Sequence, residues 1–191
     1  GGLVLTLMAL PFALVIVVVA AIAIKLDTPG PIFFTQERIG YNGKRFTVYK
    51  FRSMIVGAEK FHQDLIRQTG EDPRHPKPAN DPRVTRVGRW IRRFSLDELP
   101  QIFNILRGEM SWVGPRPAVP QEVELYEPWH LQRLRTLPGL TGLWQVSGRN
   151  EVPFEEMCLM DIYYIENWSL GLDLQIILRT VPHVLLAHGA S

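Results

Sequence analysis

Arg92-Arg93-Phe94-Ser95-Leu96-Asp97-Glu98-Leu99-Pro100 sets two adjacent carboxylates directly after a run of arginines and just ahead of the apolar residues Ile102, Phe103, Ile105 and Leu106. Ser95 and Glu98 have the Ser-x-x-Glu spacing of a capping box, so the stretch predicts a helix opening at Ser95, with Asp97 and Glu98 in its first turn. Unpaired backbone N–H groups and the positive end of the helix dipole favour ionised carboxylates there and attract phosphate. Capping boxes are common, so the pair alone does not specify chemistry. Arg83, Arg86, Arg89, Arg92 and Arg93 put five arginines into eleven residues immediately before it. A metal-binding acidic pair beside phosphate-binding guanidinium groups is then a sharper explanation than a solvated basic face.

Upstream, Ile32-Phe33-Phe34 and Arg45 to Phe51 flank Tyr41-Asn42-Gly43-Lys44. Asn-Gly supplies the positive backbone angles of a turn, which predicts a β-hairpin. Period-two alternation puts Phe46, Val48, Lys50 and Arg52 on one face, so two cations end the strand together, as a diphosphate clamp or as solvated edge charges. Residues 57–68 read as a helix. Residues 70–82 hold four prolines and read as a loop. His62 and His75 lack metal-ligand spacing and read as surface residues.

Downstream, Ser111-Trp112-Val113 predicts a short strand running into Gly114-Pro115-Arg116-Pro117, where prolines on both sides hold Arg116 in one direction. Ser147-Gly148-Arg149-Asn150 is a second turn presenting an arginine. A helix is expected from about Pro153 to Glu166, carrying Asp161, Tyr163 and Tyr164.

The segment Leu3 to Ile24 holds 22 residues without a charge, a helix of roughly 33 Å. Pro11 removes one backbone hydrogen bond and kinks it, which leaves both a span and a re-entrant hairpin open. Ser169 to Ala187 is apolar but interrupted by Asp173, Gln175, Arg179, Pro182 and His183, the pattern of an amphipathic interfacial or core-packing helix.

At 191 residues the chain suffices for a core without disulfides, and Cys158 is the only cysteine. Such usage fits a reducing compartment. Net charge is +2 but uneven: residues 25–118 hold 17 Lys and Arg against 10 Asp and Glu, and residues 119–191 hold 4 against 9. The basic part suits anionic lipid, nucleotide phosphate or nucleic acid, and charge alone does not choose. No Gly-x-Gly-x-x-Gly after a strand, P-loop lysine motif or internal repeat is present.

In order along the chain, Gly30-Pro31-Ile32-Phe33-Phe34 with Gln36 and Arg38, Lys50-Phe51-Arg52-Ser53-Met54, Asp81-Pro82-Arg83-Val84-Thr85, Ser95 to Gln101, Val113 to Pro117, and Gly139-Leu140-Thr141-Gly142 through Gly148-Arg149-Asn150 closely resemble the bacterial sugar transferases called monotopic polyprenyl-phosphate phosphoglycosyl transferases. The resemblance implies a mixed, helix-rich α/β fold. Residues 1–28 would form a Pro-kinked re-entrant membrane helix and its exit. Residues 29–191 would form a compact cytosolic catalytic domain with a small β-hairpin and interfacial amphipathic helices, on the cytoplasmic face of a bacterial inner membrane. The kink often written Ser-Pro in that family is Leu10-Pro11 here, which removes a hydroxyl able to satisfy a freed backbone group.

The implied activity is transfer of a sugar 1-phosphate from a UDP-sugar to undecaprenyl phosphate, releasing UMP and starting a surface glycan. Asp97 would be the nucleophile, forming a covalent phosphosugar intermediate, and Glu98 with Asp97 would hold Mg²⁺. Lys50, Arg52, Arg92, Arg116 and Arg149 would bind substrate phosphates, and Asp161 a second metal or the sugar. Membrane lipid is an expected partner, nucleic acid is not, and a homo-oligomer is compatible with the pattern. The chain resembles the catalytic part of longer, hexose-using members, which points to UDP-glucose or UDP-galactose. Two other classes fit the raw pattern: a membrane-tethered binding module for anionic lipid or nucleic acid without chemistry, and a metal-dependent phosphohydrolase using the same carboxylates.

Overall fold

The computed structural model describes residues 2–61, 67, 70, 72, 74, 81–148 and 152–185, with side chains along the first helix described from Val15 onward. The architecture is mixed and helix-rich, with a small antiparallel hairpin. Helix α1 runs Gly2–Asp27. Over the described residues no helix is long and apolar enough to cross a membrane. The second half of α1 buries Ala20 and Ile24 against Phe51 and Ile91, with Leu96 and Leu99 packed at the edge of the same cluster. Its opposite face leaves Val15, Val18, Val19, Ile22 and Leu26 exposed.

The expected hairpin forms from β1 (Phe33–Ile39) and β2 (Arg45–Phe51), antiparallel, with Phe34 opposite Lys50, Gln36 opposite Val48 and Arg38 opposite Phe46. Asn42 and Gly43 adopt φ of 53° and 75° in the connecting turn, the left-handed angles that this residue pair tolerates best. The outer edge of β2 is met by fully buried Asn104, whose Nδ2 donates to Thr47 O at 2.6 Å and whose Oδ1 accepts from Tyr49 N–H at 3.3 Å. One side chain thus covers a strand edge and fixes the next layer against it.

Helix α2 (Arg86–Arg93) begins at Thr85, whose Oγ1 accepts from Gly88 N–H at 2.9 Å. Asp27, at the end of α1, accepts from Val87 N–H at 3.0 Å and adds a carboxylate to the same terminus. Residues 83–85 run antiparallel to residues 53–55. Gly88 passes so close to them that a Cβ there would lie 2.0 Å from Ser53 O. Arg83 is buried in a two-pronged pair with Asp81, Nη2 to Oδ2 at 2.6 Å and Nε to Oδ1 at 2.8 Å. The Asp-Pro-Arg motif therefore holds the lead-in to α2.

The helix expected to open at Ser95 differs from its capping-box form. Ser95 is left-handed at φ 53°, makes no side-chain cap, and precedes a 3-10 helix Leu96–Gln101 that passes into α3 (Ile102–Leu106). Pro100 lies inside that 3-10 segment, and its missing N–H suits the tighter form. Glu98 turns away from Ser95 because Lys50 offers it a charged partner.

Strand β3 (Ser111–Val113) pairs in parallel with β4 (Gly139–Thr141), a partner the sequence reading did not anticipate. Gly114 N–H donates to Thr141 O and Gly139 N–H to Pro115 O, both at 2.9 Å. A Cβ on Gly139 would fall 2.1 Å from Gly114 N, so the two backbones cross where side chains do not fit. After short helices α4 (Pro120–Val123) and α5 (Leu143–Ser147), the expected helix appears as α6 (Phe154–Glu166), followed by α7 (Leu170–Leu185). Ile176 of α7 packs with Val113, Val146 and Tyr164. Leu170, Leu174, Leu178 and Val181 form an exposed stripe. Of the segment read as a helix over residues 57–68, a 3-10 turn Ala58–Phe61 is observed. His62, His75 and most of the residue 70–82 loop lie outside the described residues.

Candidate active site

The hairpin, the 3-10 helix and the turn after β3 converge on a cleft of about 280 Å³ including its open mouth, lined by Arg38, Lys50, Glu98, Gln101, Arg116 and Gln145 among others. Each wall has a local cause. Lys50 projects from β2 on the face shared with Val48. Leu96 and Leu99 turn toward α1, which leaves Glu98 for the hairpin side, where it meets Lys50. Arg116 is carried by the Gly114–Pro117 turn, held by the β3–β4 crossing on one side and by Ile39 N–H donating to Ala118 O at 2.8 Å on the other.

Lys50 Nζ donates to Glu98 Oε1 at 2.8 Å, with both side chains mostly buried. Burial by itself would raise the Glu98 carboxyl, but Lys50, aided by Arg116 and Arg38, holds it below its ordinary value. Asp97 goes the other way. Burial first, then the neighbouring Glu98 charge, push its carboxyl up to about 6, against the pull of Lys50 and Arg92. This corrects the expectation that a helix start would favour ionised Asp97: the short 3-10 segment gives less than burial and a like charge take away. Around neutral pH Asp97 is still ionised, as a weakly solvated carboxylate.

Sequence-derived candidates divide by position. Lys50, Glu98 and Arg116 meet at the cleft, and Asp97 and Arg92 lie within electrostatic reach of one another beside it. Arg52 is placed elsewhere: β2 ends at Phe51, Arg52 N–H donates to Ile32 O at 2.9 Å, and its guanidinium donates to Pro29 O and Thr28 O at 2.8 Å each. It clamps the joint between α1 and the hairpin. Asp161 is almost fully buried against Arg133, at 2.8 Å to Nε and 2.7 Å to Nη2, and burial lifts its carboxyl to about 6 despite that partner. Arg133 also donates to Tyr126 Oη at 2.9 Å. Arg149 lies outside the described residues.

Sequence reasoning passed over Arg38, Gln101 and Gln145. A signal for Arg38 existed: with the turn at Asn42-Gly43, cross-strand pairing puts Phe34, Gln36 and Arg38 on the sheet face of Lys50.

Among the described residues no three or more His, Cys, Asp and Glu are grouped to hold a metal by themselves. Two adjacent half-buried carboxylates, one raised by the charge of the other, nevertheless suit a hard divalent cation that takes one or two carboxylates and completes its shell with water and substrate phosphate. The donor set fits Mg²⁺.

A family model described as bacterial sugar transferase matches residues 2–187. The exopolysaccharide production protein ExoY of Rhizobium meliloti is 46% identical over 171 residues, covering 87% of this chain and 76% of that protein. The undecaprenyl-phosphate galactose phosphotransferase of Salmonella typhimurium is 45% identical over 165 residues, 84% of this chain and 35% of its own length. The undecaprenyl-phosphate glucose phosphotransferase of Komagataeibacter xylinus is 45% identical over 198 residues, 98% of this chain and 35% of its length. The chain thus spans three quarters of the first relative and about a third of the two longer ones.

Proposed function

The chain belongs to the bacterial sugar transferase family, and from that premise we propose that it moves a sugar 1-phosphate from a UDP-sugar to undecaprenyl phosphate, initiating a surface glycan. The observation that carries this reading is Glu98 meeting Lys50 and Arg116 at one cleft, with Asp97 next to it in the chain and Arg92 within electrostatic reach of Asp97. An Asp97 carboxylate oxygen attacks the phosphorus bearing the sugar, the phosphoanhydride bond breaks, and UMP leaves with the bond electrons. An oxygen of the lipid phosphate then attacks the same phosphorus, breaking its bond to Asp97 and restoring the carboxylate. Two anionic substrates thus never have to meet directly.

Lys50, Arg92 and Arg116 offset the charge gathered on the phosphoryl groups, most effectively in a water-poor cleft. Asp97 and Glu98 would hold Mg²⁺, which when bound would neutralise diphosphate charge. Because Glu98 already carries the Lys50 ion pair, metal binding and substrate binding draw on one network. The names of the relatives support a hexose, galactose or glucose, as the sugar.

Exposed apolar faces on α1 and α7 support a membrane surface, with α1 entering and leaving one leaflet and the remainder on the cytoplasmic side. The test is product analysis: detergent-solubilised protein with Mg²⁺ and single UDP-sugars should yield UMP and, only when undecaprenyl phosphate is added, a lipid-linked diphosphosugar. Free sugar phosphate formed equally well without lipid would show a hydrolase instead.

A further inference from the structure

Arg38 lines the cleft with Lys50, Glu98 and Arg116, yet the reaction above gives it no task. It is 7% exposed. Its Nη1 donates to Pro117 O at 2.9 Å and its Nη2 to Gln36 Oε1 at 2.6 Å, both neutral acceptors. Among the described residues no carboxylate forms an ion pair with it at 4.0 Å or less. Glu98 is engaged by Lys50, and Glu122 accepts from Val119 N–H at 3.1 Å; both attract Arg38 only from farther away. Burial and the nearby Arg116 charge lower its pKa to about 10, so it stays a cation at neutral pH.

A buried guanidinium beside a second guanidinium, without a paired counter-ion, is costly unless something else brings negative charge to it. Gln36 and Pro117 fix the plane of the group, the arrangement in which an arginine fork recognises a phosphate best. We propose that Arg38 is a phosphate-binding residue of the cleft, oriented by Gln36 and acting beside Arg116 on the oxygens of a phosphate ester. The identity of that ester rests on the proposed function. The nucleotide-sugar diphosphate and the lipid phosphate monoester share the chemistry, and the half-reactions separate them.

The test uses the full chain in detergent with Arg38→Gln, Arg38→Lys and Gln36→Leu. Three quantities are measured: UMP affinity by calorimetry, UMP release without lipid, and KM for undecaprenyl phosphate. Loss of a charge-assisted contact should weaken binding of one phosphate ester by about 10- to 100-fold in Arg38→Gln. Lysine should recover part of this, and Gln36→Leu should move in the same direction by less. A deficit in UMP affinity and lipid-free release assigns Arg38 to the diphosphate, and one confined to KM for the lipid assigns it to the monoester.

If Arg38→Gln does not fold, Arg38→Lys and Gln36→Leu carry the comparison. A protein that binds UMP through Arg38 but releases none from any UDP-sugar would end the transferase reading and keep this one. Folded variants within about threefold of the parent on all three measures, below the size of one such contact, would overturn it. So would a parent protein that binds neither ester.

Discussion

Asp97 carries opposing demands, since a nucleophile must be ionised while burial and Glu98 favour its protonated form. The raised pKa sets the direction of two effects. Affinity for Mg²⁺ in calorimetry should climb as pH rises through about 6, where the metal-free carboxyl loses its proton and becomes a ligand. Because the folded value lies above the unfolded one, near 3.9, ionised Asp97 costs stability that is absent below that value and complete above about 6. Asp97→Asn should therefore abolish UMP release and also raise stability at pH 7 by about 1–3 kcal/mol, an advantage that fades toward pH 4 in paired denaturant titrations. A mutant no more stable at pH 7 than the parent would show that Asp97 is not strained by burial. The pair itself was legible in Ser95-Leu96-Asp97-Glu98 because adjacent carboxylates after arginines are a local pattern. The direction of the Asp97 shift was not, since it depends on Leu96 and Leu99 packing against α1 and on Lys50 arriving from a strand far away in sequence.

The elements divide the same way between local and distant causes. The hairpin was readable because Asn42-Gly43 and the flanking alternation both lie within it. The parallel β3–β4 pair was not: its strands are three residues each and about 25 residues apart, and what specifies them is the absence of side chains at Gly114 and Gly139. Arg52 was expected with Lys50 as a phosphate ligand; the Thr28 and Pro29 carbonyls that accept from it come from the joint between α1 and β1, which no local pattern brings to the end of β2. Gly139→Ala tests the crossing. Its methyl group would meet Gly114 N at 2.1 Å, backbone that cannot swing aside, so it should destabilise the fold by at least about 2 kcal/mol in a thermal or denaturant melt. It should also lower kcat/KM in the fraction that remains folded, because the same crossing holds the turn that bears Arg116. A variant of parental stability would mean that β3 and β4 do not approach so closely.

At the scale of the molecule, α1 joins the proposed membrane layer to the reaction site through Ala20 and Ile24 on one side of the cluster and Leu96 and Leu99 on the other. Lipid-borne substrate would thus reach a carboxylate pair anchored on the element proposed to enter the leaflet. The exposed stripe Leu170, Leu174, Leu178 and Val181 adds a second apolar face. Leu174→Glu with Leu178→Glu should release protein lacking residues 2–14 from anionic vesicles in flotation, whereas unchanged flotation would remove α7 from the membrane surface. In the full chain, cysteines placed before Leu3 and after Asp27 should label from the same side of the bilayer, and labelling from opposite sides would make α1 a span. The fold class and the order of site motifs could be read from sequence because they rest on stretches in register along nearly the whole chain. How the membrane segment meets the site could not, because the contacts join residues about 75 apart. The most direct measurement is mass spectrometry of peptides from protein quenched after mixing with Mg²⁺ and a UDP-hexose, without lipid. The proposed mechanism predicts a hexose-phosphate adduct on Asp97 that disappears when undecaprenyl phosphate is added. Folded, UMP-releasing protein with no adduct, or an adduct on another residue, would contradict it.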